Sequence, residues 1–446
     1  MKTVSVLGGG LVGPMMALLL AKRNIKVNIF EKRPNPFQHY SKSGRTVNLA
    51  LSERGWRALK KINISQKVTD IIVPLSGRMV HLPDGEQLYQ PYGINQECIY
   101  SVSREELNKI LIQEAQKHEN ITFYFEKECQ NVFLENSTLQ MVDCKTKDIS
   151  YFESDLIIGA DGISSQIRKA IGEYEVMDFE RNYIDYGYKE LSIPAIENNQ
   201  WAIEKNVLHI WPRGRYMLMA LPNNDGSFTA TLYAPLQGEN SFEQIDTAGK
   251  LITFFQKDFP DVTKFMPHLE YEFFNFPVSS LSSINCYPWV HKSRALIIGD
   301  AAHAILPFYG QGMNSGFEDC TYLDALLDHN EINEKTLDIF QKERKANADA
   351  LSILSYNNFL EMRDYIKNPL FLLRKKIDFF IGENYPDIWQ PIYTLIAFRT
   401  TPYQEVLRIS LLQNEILDKI MMVDDIENCW MTLDYSYFLE EITAYV

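Results

Sequence analysis

The sequence predicts an α/β protein. Parallel-sheet elements, split between the beginning and the middle of the chain, flank an inserted antiparallel sheet, and the C-terminal part is helical. Three observations predict this. The chain opens with a short apolar strand, a glycine turn, a helical run and a second strand, over Val4–Leu7, Gly8–Gly13, Leu11–Ala21 and Val27–Phe30. After about residue 180 it becomes a series of aromatic and β-branched runs separated by turn residues. A buried-type strand, Ala295–Ile298, then returns before a mostly helical remainder.

Each element follows from local composition. Leu11–Ala21 is helical, with Pro14 in the first turn, where a missing N–H is tolerated. Glu53–Lys61 and Arg104–Lys117 read as helices, Ile121–Phe125 and Asp155–Ile158 as strands. Tyr186–Ile193, Val207–Trp211, Tyr216–Leu221 and Phe228–Ala234 read as hairpin strands, with Arg213-Gly214 and Asn223–Gly226 as turns. Glu405–Met422 places Val406, Ile409, Leu412, Ile416 and Ile420 at helical spacing. The expected division is 1–180 and 286–330 for a discontinuous cofactor domain, 181–285 for an antiparallel-sheet substrate domain, and 331–446 for a helical region covering the substrate site.

Composition excludes several classes. The 446 residues carry a net charge of −14 with no basic run, which argues against a nucleic-acid partner. The six cysteines are scattered and form no CxxC, so a zinc knuckle or dithiol site is not expected, and a reducing cytoplasm suits them. Neither HExxH nor GxSxG occurs; no metal set or nucleophile triad is expected. Thr3–Ala21 is an uncharged run of 19 residues, but Gly8, Gly9, Gly10, Gly13 and Pro14 interrupt it, and strand–turn–helix explains it better than a membrane span. A soluble chain without a membrane anchor is expected.

Gly8-Gly9-Gly10-Leu11-Val12-Gly13 matches GxGxxG. Gly8 permits the sharp turn, Gly10 lets a pyrophosphate approach the backbone, and Gly13 lets helix and strand pack closely. The helix N-terminus offers free N–H groups to phosphate. Glu31, 18 residues after Gly13, ends the next strand, where a carboxylate accepts from ribose hydroxyls. This predicts dinucleotide binding without separating FAD from NAD.

Two further stretches separate them. Asp155–Arg168 and Arg294–Asn314 are each a strand ending in small residues with an Asp at its carboxyl edge, Asp161 and Asp300. Together with the first motif, in this order and spacing, they resemble the single-component flavin-dependent aromatic hydroxylases, which share the para-hydroxybenzoate hydroxylase fold. That resemblance implies a Rossmann-like FAD-binding domain of the GR2 type. It also implies tightly bound FAD, transient NADPH, and O2 activated on the reduced flavin, with no catalytic side chain of the protein's own. It implies cofactor contacts at Gly8, Gly10, Gly13, Glu31, Arg33, Ala50, Arg104, Asp161, Asp300, Gln311, Gly312, Met313 and Asn314. His303 lies in the third motif but receives no role.

Longer runs resemble one branch of that family, which hydroxylates an amino acid bearing an aniline ring. They include Gly44–Gly55, Gly77–His81, Gln90–Gly93, Tyr188–Leu191, Leu208–Pro212 and Pro307–Asn314. The likeness covers roughly residues 1–400. It implies that Arg78 and Tyr92 hold the substrate carboxylate, a natural pairing for a guanidinium fork. It adds Asn358 and Tyr393 as polar contacts and Phe308 beside them. Glu361, three residues after Asn358, is expected on the same helix face, where it could receive the substrate ammonium or orient its neighbours. Two departures are visible: Tyr309 stands where other members carry different rings or His, and no segment resembles the C-terminal anchor of mitochondrial members. The expected partner is therefore one small molecule, with the protein a monomer or homodimer.

Four rivals compete with this reading. They are a related hydroxylase acting on a phenol or benzoate, a flavin halogenase, an NAD-dependent dehydrogenase, and a flavin-binding module without turnover. The halogenase lacks its WxWxIP segment in this sequence. The second and third motifs count against the dehydrogenase.

Overall fold

The computed structural model describes residues 2–38, 47–365 and 368–443. Within the matched run Gly44–Gly55, Gly44, Arg45 and Thr46 lie outside the described residues. The chain forms two compact units. One comprises 1–72, 101–184 and 281–352; the other comprises 73–100, 185–280 and 353–446.

The first unit is built on a six-stranded sheet. Its order is Val290–His291, Ala295–Ile297, Leu156–Gly159, Thr3–Leu7, Lys26–Glu31 and Ile121–Phe125. Every neighbouring pair is parallel except the first. Val4, Val6, Val27, Ile29, Ile157, Ile158, Leu296 and Ile297 have no exposed surface, as expected for strands covered on both faces. The Val12–Ala21 helix is buried at every residue after Val12. That burial is why its apolar run shows no polar face. This unit also carries a separate antiparallel sheet of Lys127–Phe133, Thr138–Asp143 and Ile149–Glu153.

The second unit carries the expected hairpin sheet. Asp178–Ile193, Phe228–Pro235, Met217–Pro222 and Val207–Pro212 pair antiparallel in that order. Leu218, Ala220, Phe228, Ala230 and Leu232 form one core with Leu251, Phe255 and Phe259 from the following helices. Each fully buried Leu or Phe side chain among them contributes about 1.5–3 kcal/mol. A second core joins Ile377, Ile381, Trp389, Ile416, Ile420 and Tyr435.

Two expected boundaries move. Residues 73–100 do not belong with the 1–180 cofactor segment. The Gly77–His81 strand pairs in parallel with Val207–Pro212, setting Arg78 opposite Leu208, and so extends the hairpin sheet. The second cofactor segment runs to 352, not 330, because the Glu334–Leu360 helix sends Arg344 into the first unit's charged core. No helix among the described residues is long and apolar enough to cross a membrane.

Candidate active site

The glycine turn of the first unit assigns each glycine by what surrounds it. Gly8 has φ +111°, and a Cβ there would sit 2.2 Å from the Ala160 carbonyl oxygen. A Cβ on Gly13 would sit 2.0 Å from the Gly8 carbonyl oxygen. A Cβ on Gly10 would meet nothing within 4 Å. Two positions are therefore closed by the protein itself, and the third is open to a ligand.

Glu31 is buried at the end of its strand. Its Oε2 accepts from Gly9 N–H at 2.8 Å, and its Oε1 accepts from Arg33 N–H and Nε at 2.8 and 2.9 Å. Burial pushes this carboxyl up, but the bonds from Arg33 and Gly9 outweigh burial and hold it below the usual range. Asp161 accepts from Gln166 N–H at 2.6 Å through Oδ2, while its Oδ1 is buried with no partner. Burial raises its carboxyl above the ordinary value. Asp300 is exposed at the start of a short helix, and its Oδ1 lies 4.0 Å from where a Cβ on Gly312 would be. Gly312 begins the Gly312–Leu326 helix, whose first N–H groups have no intrahelical partner. An open glycine, an orphaned buried acceptor, an exposed carboxylate and a helix start fit a dinucleotide such as FAD.

Other predicted cofactor residues take protein partners. Asn314 has no exposed surface. It accepts from Ser52 N–H at 3.0 Å and donates to the carbonyls of Ala50 and Gly310 at 2.8 and 2.9 Å. Gln311 accepts from Ser52 Oγ at 3.2 Å. These side chains tie the Ala50–Ser52 backbone to the third motif. Met313 is buried beside them in the same helix turn, and Arg104 stands exposed at the start of the Arg104–Ala115 helix.

Behind the third motif lies a charged core that sequence reading did not find. Asp319 is fully buried; it accepts from Gly299 N–H at 2.8 Å, His303 Nε2 at 2.6 Å and Arg344 Nε at 2.7 Å. Burial pushes its carboxyl up, but His303 and Arg344 outweigh that and bring it down to about 2. Arg344 also donates to Glu318 at 2.9 Å, and Arg54 donates to the other Glu318 oxygen at 2.7 Å. His303 is thus a buried partner of Asp319. Only the Glu318-Asp319 pair inside an otherwise helical run could have signalled this in the sequence.

In the second unit, Arg78, Tyr92 and Tyr393 come together. Arg78 is half-buried on the Gly77–His81 strand, and Tyr92 follows the neighbouring Gln87–Pro91 strand. Tyr393 enters from the Ile392–Ala397 helix. The two tyrosine rings stack at 4.5 Å and 12°. The guanidinium carbon sits 5.4 Å from the Tyr92 centroid and 5.0 Å from that of Tyr393. Arg78 bonds to the Tyr92 phenol, but its Nε is covered and has no partner. Burial raises the Tyr92 phenol above its usual range, so it stays a neutral hydroxyl able to donate.

Asn358 is buried in the Glu334–Leu360 helix, with Nδ2 at 3.5 Å from Met362 Sδ. The α-helix ends at Leu360, and Glu361 opens a π-turn. Its carboxylate pairs with Lys375 at 3.0 Å, a partner the sequence reading missed. Phe308 lies in the first unit, buried in the Pro307–Tyr309 turn.

The chain matches the FAD binding domain family over residues 1–353. It is 41% identical to a kynurenine 3-monooxygenase of Flavobacterium psychrophilum, over 97% of both chains. It is 38% identical to one of Dictyostelium discoideum, over 95% of this chain and 94% of that one. Among solved structures it resembles p-nitrophenol 4-monooxygenase PnpA from Pseudomonas putida DLL-E4. There the TM-score is 0.68 at 16% identity, covering 94% and 99% of the two chains. A likeness that distant speaks for the fold alone. Identity near 40% along almost the whole chain speaks for more: this protein belongs to the kynurenine 3-monooxygenase family of FAD-dependent aromatic hydroxylases.

Proposed function

We propose that this chain hydroxylates L-kynurenine at ring carbon 3, as a cytoplasmic monomer or homodimer. The step belongs to tryptophan degradation by the kynurenine pathway, towards quinolinate and NAD. L-Kynurenine, O2, NADPH and a proton give 3-hydroxy-L-kynurenine, NADP+ and water. Bound FAD supplies electron transfer from NADPH and the activation of O2. The protein's own work is to bind, orient and keep water out.

The observation that carries this reading is the Arg78–Tyr92–Tyr393 cluster. A guanidinium faced by two phenols and keeping an unpartnered Nε is built to receive a planar anion. The amino-acid carboxylate of kynurenine supplies one. Tyr92 and Tyr393 add hydroxyls and a flat apolar wall beside the fork. Asn358 and Glu361 are assigned to the remaining polar groups of the amino acid. The substrate's aniline nitrogen pushes electron density to its ortho carbon, so no protein base is required to activate the ring. A phenol or benzoate would need no ammonium site, and Glu361 would be idle with it.

In the first unit, Glu31 and Asp300 are assigned to the hydroxyls of the cofactor, and the Gly312 helix start to its electron-rich edge. Arg104 is assigned to its phosphates.

The test is a visible spectrum of the purified protein, then NADPH oxidation with and without L-kynurenine, with the product identified. A flavin spectrum, stimulated oxidation and 3-hydroxykynurenine are expected. Stimulated oxidation yielding only hydrogen peroxide would keep the binding site and reject the substrate. A colourless protein that FAD cannot reconstitute would reject the whole reading.

A further inference from the structure

Arg78 has an anion within its electrostatic reach that does not occupy it. The Glu361 carboxylate acts on the guanidinium from nearby, together with the phenols of Tyr92 and Tyr393. Yet Glu361 is bonded 3.0 Å from the ammonium of Lys375. Lys375 stands on the Pro369–Asn384 helix, with its ammonium 5.4 Å from the Phe371 ring centroid. Three residues further along the same helix, Asp378 supplies a second carboxyl whose charge Lys375 stabilises. Asp378 is itself fixed by a 2.8 Å bond from Trp389 Nε1, and Trp389 is fully buried. Lys375 therefore acts on two carboxyls, bonding to Glu361 and stabilising the charge of the anchored Asp378.

We propose that Lys375 is a positioning residue: it holds Glu361 away from Arg78, so that the guanidinium fork stays open for the substrate carboxylate. The physical reason is competition. A half-buried guanidinium and a carboxylate that can reach it form an ion pair unless another cation holds the carboxylate. If Glu361 closed on Arg78, an incoming carboxylate would have to displace it before binding. Lys375 removes that internal competitor while leaving Glu361 in the site. This inference rests on the assignment of Arg78 to the substrate carboxylate.

The test is a double-mutant cycle read by KM and kcat with L-kynurenine, alongside the FAD content of each variant. Lys375→Met is expected to raise KM about fivefold, the upper end for a half-exposed ion pair, with kcat and bound FAD unchanged. Lys375→Arg is expected to keep KM near the parent value. In a Glu361→Gln background, Lys375→Met is expected to have no further effect, because a neutral amide does not compete for Arg78. A lysine that acted on the site by a route other than Glu361 would not be silenced by that background. If Lys375→Met leaves KM unchanged, or raises it equally in the Glu361→Gln background, the positioning role is overturned. Arg78→Ala is measured in parallel. If it leaves kynurenine binding intact, the carboxylate assignment itself fails; if it abolishes binding while the Lys375 cycle is flat, only the positioning role fails.

Discussion

Arg344 and Arg78 are both arginines set into the interior, and they are treated in opposite ways. Arg344, in the first unit, fills its fork with protein: Asp319, Glu318 and Ser315 take its donors at 2.7–3.3 Å. Arg78, in the second unit, is faced by two phenols and leaves Nε without a partner. The first is a brace: its charge is neutralised before any ligand arrives, and it fixes the backbone around Gly299. The second is a receptor, because a covered donor without an acceptor is tolerated only where something else supplies one. Chemistry of the side chain does not separate the two roles; completeness of the surroundings does.

The largest effect should come from breaking the brace. Arg344→Met leaves Asp319 and Glu318 with carboxylates that have lost their shared cation. A loss of about 3–5 kcal/mol is expected, measured as a fall in the denaturant midpoint. Retained stability would mean that Arg344 is no brace. Arg78→Ala should do the reverse. Kynurenine affinity should fall by about 2–4 kcal/mol, read as KM or direct binding, while FAD stays bound and stability changes little. Loss of FAD with intact kynurenine binding would put Arg78 in the wrong role.

Acid separates the two units next. His209, on the Val207–Pro212 strand, donates or accepts at 2.8 Å with His81 and at 2.7 Å with the Glu204 carbonyl. Burial lowers it to about 4. Its folded value lies below its unfolded one, near 6.5, so the unfolded chain binds the proton first. Stability is therefore lost as pH falls from about 6.5 towards 4, by an order of 2–3 kcal/mol. Asp319, held at about 2, loses its contribution only as pH falls below the ordinary carboxylate range. Unfolding curves between pH 7 and 4.5 should thus slope downward, and His209→Phe should flatten that slope. An unchanged slope in the variant would remove His209 as its source.

The same contrast explains what could be read in the sequence. Local patterns survived well: the helix over Glu53–Lys61 and the strand over Ile121–Phe125 have the bounds their composition predicts. The hairpin strands moved by a residue or so at their ends, except that Asp178–Ile193 starts eight residues earlier than its apolar run. That extension mixes charged residues with Phe179, Tyr183 and Ile184 and is mostly exposed, so no alternating hydrophobic pattern marks it. What failed was non-local. Nothing in Gly77–His81 announces a parallel partner some 130 residues away. The Lys127–Glu153 sheet was missed because its strands mix polar and apolar residues without a clear alternation. At the site, motif positions were legible but the direction of each side chain was not. Asn314 and Gln311 sit in the flavin motif, yet both bond to the Ala50–Ser52 segment. Lys375 was invisible because it stands between Arg374 and Lys376, where a charge reads as an ordinary helix surface.

The smallest effect offers the sharpest version of the comparison, because it uses one substitution at two glycines three residues apart. Gly13→Ala places a methyl 2.0 Å from the Gly8 carbonyl oxygen, against backbone that cannot move without opening the turn. Folding itself should suffer, with or without cofactor. Gly10→Ala places the same methyl where the protein has no atom within 4 Å, and its backbone does not need a positive φ. The apoprotein should therefore keep its stability, or gain a few tenths of a kcal/mol from a less flexible unfolded chain. FAD affinity should still fall, by about tenfold, since the methyl occupies the approach of the pyrophosphate. Flavin fluorescence titration of apoprotein measures the second effect, and denaturation of the same apoprotein measures the first. If Gly10→Ala binds FAD like the parent, the open space above Gly10 is not where the cofactor lies, and the glycine is only a turn residue. If it destabilises the apoprotein as Gly13→Ala does, the position is closed by the protein after all, and the distinction between brace and receptor does not extend to the backbone.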